Sequence, residues 1–72
     1  MNYEDILQNI FELKNVINEL NELTYKLNRD YHENKITNEV HSNISYSLKD
    51  IINKKTFCLL EYIEKLENIK RG

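Results

Sequence analysis

No proline interrupts this 72-residue chain, and its single glycine is the last residue. Inside a helix proline costs ~3 kcal/mol and glycine ~1 kcal/mol relative to alanine. Almost nothing here stops a helix once it has begun. Cys58 is the only cysteine, which excludes an intrachain disulfide. A lone thiol also points to a reducing compartment over a secreted disulfide scaffold. Long apolar runs are missing too. Phe57-Cys58-Leu59-Leu60 is among the longest, against the ~20 residues a membrane span needs. The first residues are acidic where a signal peptide would be basic. The expectation is a cytoplasmic protein without a membrane segment. With no internal glycine there is no Gly-rich phosphate loop. Twelve acids against ten bases give a net charge of −2, not the positive excess of a nucleic-acid binder.

What is present is an apolar stripe. Tyr3, Ile6, Ile10, Leu13, Ile17, Leu20, Thr24, Leu27 and Tyr31 follow one another at gaps of three and four. That period puts them on one side of an α-helix, as a seam for a second helix. Asn2 suits the cap of this helix, and Glu4 and Asp5 suit the positive end of its dipole. The first helix is expected over about residues 3–32 and a polar turn over about 33–37. Asn34 is the turn residue that tolerates the left-handed conformation. Thr37 is the expected cap of a second helix over about residues 38–70, with Glu39 in its first turn. Val40, Ile44, Leu48, Ile51, Ile52, Leu59, Tyr62, Ile63, Leu66 and Ile69 form its expected apolar face. Asp50 with Lys54 and Glu61 with Lys65 are i,i+4 pairs of the supportive order. Lys70 and Arg71 suit the negative end of the dipole.

A turn this short makes the helices antiparallel neighbours in a single hairpin domain spanning residues 1–72. Folding at Asn34–Lys35 sets residue i against about residue 69 minus i. Thr24 then faces Ser45, a hydroxyl layer able to fix the alignment. Residues 1–33 carry −4 and residues 34–72 carry +2, which favours placing the halves side by side. Leu7, Phe11, Val16 and Leu23 widen the apolar face of the first helix, and Phe57 and Leu60 that of the second. Two helices cannot surround a core. A chain this short generally needs unusually good packing or a second copy of itself. The expected fold class is therefore all-α, an antiparallel two-helix hairpin of coiled-coil type, paired as a homodimeric four-helix bundle. Leu7, Phe11, Val16, Leu23, Phe57 and Leu60 form the expected surface for self-association or a protein partner.

Chemistry is sparse. His32 and His41 flank the turn near Asp30 and Glu33, at a spacing that matches no compact zinc motif. No metal or cofactor is expected. His41 is expected at the edge of the seam near Leu27. Cys58 stands mid-helix among apolar residues, without the helix N-terminus or neighbouring base that activates a nucleophile. It is expected to be a buried small hydrophobe. The carboxylates suit solvated faces and pair in no evident pocket for acid–base work, and Lys54-Lys55 is too small a patch for nucleic acid. Tyr25, Tyr31 and Tyr46 fall near the tip or off the core, where tyrosine commonly serves a protein contact or a half-buried edge.

Leu23 to Ile52 resembles the small aspartyl-phosphate phosphatases that restrain sporulation in spore-forming bacteria. The likeness covers about thirty residues of helical-hairpin pattern. It rests on the turn Lys35-Ile36-Thr37-Asn38-Glu39-Val40 and on Ser45-Tyr46-Ser47-Leu48-Lys49, followed by Asp50. In that family the second helix carries Ser-Gln-Glu-Leu-Asp. Ser45 and Leu48 match it, and a lysine stands where the family has its last acid. The resemblance implies a negative regulator of phosphorelay signalling acting on a phosphorylated response regulator. The residues themselves point elsewhere, to a small non-enzymatic protein that regulates or inhibits another protein by binding it. Abundant Asn, Lys, Ile and Tyr suit an AT-rich genome, and a phage- or plasmid-borne inhibitor of a host protein fits that size and composition. A structural coiled-coil component of a larger assembly is the remaining alternative.

Overall fold

A computed structural model describes residues 2–71, with side chains for residues 2–69. Helices α1 (Tyr3–His32) and α2 (Asn38–Arg71) pack against each other as a hairpin. No strand occurs among the described residues. The result is a rod of 54 × 15 × 15 Å.

Local chemistry sets each end of α1. Asn2 is extended, and its side chain accepts the Asp5 N–H at 2.8 Å while its carbonyl accepts that of Ile6 at 3.1 Å. One of the N–H groups that a helix start leaves unmatched is thereby satisfied. At the other end Asn34 takes φ 62°. The Asn34 N–H reaches back to the Tyr31 carbonyl at 3.1 Å, and that of Lys35 to the Asp30 carbonyl at 2.9 Å. This pair of bonds is the Schellman closure, built on asparagine where glycine is the usual choice. Thr37 then starts α2, its Oγ1 accepting the Val40 N–H at 3.2 Å and its carbonyl that of His41 at 3.0 Å. The side chains of Lys70 and Arg71, expected to complement the far end of α2, lie outside the described residues.

The alignment of the two helices is visible at the tip. Tyr31 Oη donates to Asn38 Oδ1 at 3.2 Å. His41 Nε2 donates to Asn28 Oδ1 at 2.9 Å, the oxygen having no hydrogen to give. The Tyr31 and His41 rings stack with centroids 4.3 Å apart. Both hydrogen-bonded pairs obey the expected register, each summing to 69. The hydroxyl layer is different. Thr24 and Ser45 line one hollow, but Thr24 Oγ1 donates to the Leu20 carbonyl of its own helix at 3.0 Å. Tyr31, Asn38, Asn28 and His41 at the tip bridge the two helices with hydrogen bonds.

The core is thin. Among the described residues, Ile6, 2% exposed, and Leu27 are the buried apolar ones. Ile10, Leu13, Ile17 and Leu20 of α1 are half-buried, as are Leu48, Ile52, Leu59, Tyr62, Ile63 and Leu66 of α2. The expected apolar face of α2 was too broad, because Val40, Ile44, Ile51 and Ile69 are each at least 40% exposed. One neighbouring helix covers a stripe about two residues wide, and these four fall beside it. Of the two expected surface pairs, Lys54 reaches Asp50 at 3.0 Å. Lys65 instead holds its Nζ 5.1 Å from the centre of the Tyr62 ring, a cation–π geometry.

Candidate functional site

The outward apolar residues fall on two different sides of the hairpin. Val16 and Leu23 are seven residues apart and share one flank of α1. Ile44, Ile51 and Cys58 repeat at the same interval along α2. The two flanks belong to one side of the rod. Leu23 and Ile44 line a common groove with Lys26, Leu27, Asp30 and Leu48, enclosing about 200 Å³. Val16 and Cys58 line the next groove along, with Asn9, Glu12, Leu13, Lys55 and Tyr62. This grooved side leaves Leu23 52% exposed, with Val16, Ile44 and Ile51 close to 40%.

The opposite side is polar toward the tip, where Asn21, Asn28, Ser45 and Lys49 border a hollow. Toward the open end it turns apolar. Leu7 stands on the same flank as Asn21 and Asn28 by heptad spacing, and is half-buried. Phe11 lies next to it, five residues and so about 140° around α1 from Val16. Phe11 is 58% exposed and Leu60 57%. Phe57, also largely exposed, is three residues from Leu60 on the outer back of α2. The six residues expected to form one surface therefore divide. Leu7, Phe11, Phe57 and Leu60 lie toward the open end and away from the groove, Phe11 and Phe57 on the outer backs of their helices, while Val16 and Leu23 belong to the groove.

Cys58 corrects the expectation of burial, for it is exposed. Thr56, Leu59 and Tyr62 take the inward positions, and Cys58 is rotated one step off that line. Tyr25 and Tyr46 project into solvent, more than three-quarters exposed. Tyr31 is committed within the hairpin by its bond to Asn38 and its stack on His41. His32 meets the edge of the Tyr31 ring at 6.1 Å. Among the described residues no group of three or more His, Cys, Asp or Glu side chains could hold a metal ion, and no helix is long and apolar enough to cross a membrane. Sequence reading missed Ile44 and Ile51 as surface residues. Their spacing of seven, matching that of Val16 and Leu23, was the available signal. No family model, curated protein or solved structure matches the chain.

Proposed function

We propose that this protein acts by binding: a small, non-enzymatic, cytoplasmic helical regulator or inhibitor that pairs with itself as a four-helix bundle and occupies the surface of another protein. One observation supports this reading above the rest. The chain exposes 5809 Å², whereas a compact monomer of its 8.7 kDa would expose about 4,700 Å². The surplus of about 1,100 Å² exceeds the roughly 800 Å² that each side contributes to a standard protein interface. It includes large apolar side chains such as Phe11, Phe57, Leu60 and Leu23, whose removal from water is favourable by ~25 cal/mol per Å².

Affinity capture from the source lysate tests the reading, with the unmodified chain beside Phe11→Asp and Leu60→Asp. The expected result is one stoichiometric protein retained by the first and lost with the other two. Self-assembly with no second protein retained would refute the inhibitor reading and leave a structural component.

A further inference from the structure

The grooved side runs along both helices, bordered by Leu23 and Ile44 at one level and by Val16 and Cys58 at the next. Resting on the self-association reading, we propose that a second copy of this chain docks there, side to side, with both turns at the same end of the bundle. The open-end apolar residues Phe11, Leu60 and Phe57 are thereby left free for the regulated protein.

Three observations point this way. First, the groove's apolar residues come from both helices at heptad intervals, the pattern that neighbouring helices of a bundle require. The open-end residues lack that repeat. Second, the register brings these residues to matched heights. Residue j of α2 stands level with residue 69 minus j of α1, as both bridging pairs at the tip show. Ile51 is thus level with residue 18 and Ile44 with residue 25. A two-fold axis along the rod lays α1 of one copy on α2 of the other. It seats Val16 near Ile51 and Leu23 near Ile44, twice over by symmetry.

Third, charge chooses between the two ways of stacking hairpins. Turns at the same end put the −4 half of each chain on the +2 half of the other. Glu12 lines the groove on α1, with Glu19 and Lys26 following at intervals of seven, and Lys54, ion-paired with Asp50, stands level with residue 15, between the two glutamates. Lys65 comes level with residue 4, beside Asp5. Glu61 sits between these lysines, and Asp50, the ion-pair partner of Lys54, stands level with residue 19. Turns at opposite ends would lay α1 on α1, −4 against −4. Matching Val16 to Leu23 of the second copy would then bring the two Glu19 side chains together while setting Lys26 of each copy near Glu12 of the other, so it is the net charge of the halves that disfavours this pairing.

The test is a distance within the full-length protein. In a Cys58→Ser background, Lys35→Cys carries a spin label at the turn, and sedimentation fixes the oligomeric state of the same sample. The expected result is a dimer with labels less than about 30 Å apart, given helix axes 8–10 Å apart and the reach of the label arms. A dimer with labels separated by about 50 Å, nearly the 54 Å length of the rod, would overturn the orientation and leave self-association standing. A monomer throughout would overturn both. Leu23→Asp and Ile44→Asp each shift the particle to monomer, while Phe11→Asp remains dimeric. The reverse pattern would overturn the assignment of faces.

Discussion

Ile6→Ala tests whether the burial pattern sets the stability of this hairpin. Ile6 is 2% exposed, and the change deletes three carbons from a site almost wholly removed from water. At ~0.8 kcal/mol per buried methylene, transfer alone accounts for about 2.4 kcal/mol. Any residual cavity adds to this, within the ~2–5 kcal/mol seen for such truncations. A site between two helices can partly collapse, so about 2–3 kcal/mol is expected. Small single-core domains rarely have more than ~3–5 kcal/mol in total, so the variant is left close to its unfolding midpoint. Leu23→Ala deletes the same number of carbons where the residue is already 52% exposed, which sets an expected cost of about 1 kcal/mol in the isolated hairpin. Urea denaturation followed by helical circular dichroism, at two protein concentrations, separates the cases. The Ile6→Ala cost should persist at both concentrations. The Leu23→Ala cost should grow with concentration, since docking stabilises only the folded chain by mass action. If Ile6→Ala cost under ~1 kcal/mol, or no more than Leu23→Ala in the dilute sample, the reasoning from burial would be refuted.

Further expectations concern the turn and the chemistry. Thr37→Ala removes the acceptor for the Val40 N–H and should cost about 1 kcal/mol by the same denaturation measurement. Asn34 holds φ 62°. Asn34→Gly should therefore be neutral or stabilising by up to ~1 kcal/mol, whereas Asn34→Val should lose ~1–2 kcal/mol. Equal melting of these two variants would contradict the left-handed turn. As a binding protein, the chain should leave the rate of phosphate loss from a phosphorylated receiver domain unchanged. An acceleration abolished by Ser45→Ala or Asp50→Asn would favour the phosphorelay reading instead.

Much of the fold was legible because its signals are local. The absence of proline and internal glycine, the caps at Asn2 and Thr37, and the left-handed tolerance of Asn34 each act within a few residues, and each is found in place. The register followed from the turn position alone. The rotation of α2 was less legible. Ile51-Ile52 and Cys58-Leu59 offer adjacent apolar residues, and Lys54-Lys55-Thr56 blurs the stripe between them. Periodicity cannot say which member of such a pair turns inward. The rotation accompanies longer-range contacts at the tip, where His41 stacks on Tyr31 and bonds Asn28. Cys58 was misplaced for the same reason, since one step of rotation separates it from Leu59. The division of the apolar surface into two sides likewise needed both helices in position.

The two best-buried residues sit near opposite extremes of the rod, and this orders the folding of the chain. Leu27 meets its level across a loop of about 15 residues, while Ile6 meets its own across about 57, a closure dearer by roughly 1.2 kcal/mol if made first. The hairpin should therefore nucleate at its bend and zip toward its mouth. Ile6 stays wet on the ribosome until residues near 63 have emerged, and for that interval α1 presents a bare greasy seam to whatever else is in the cell.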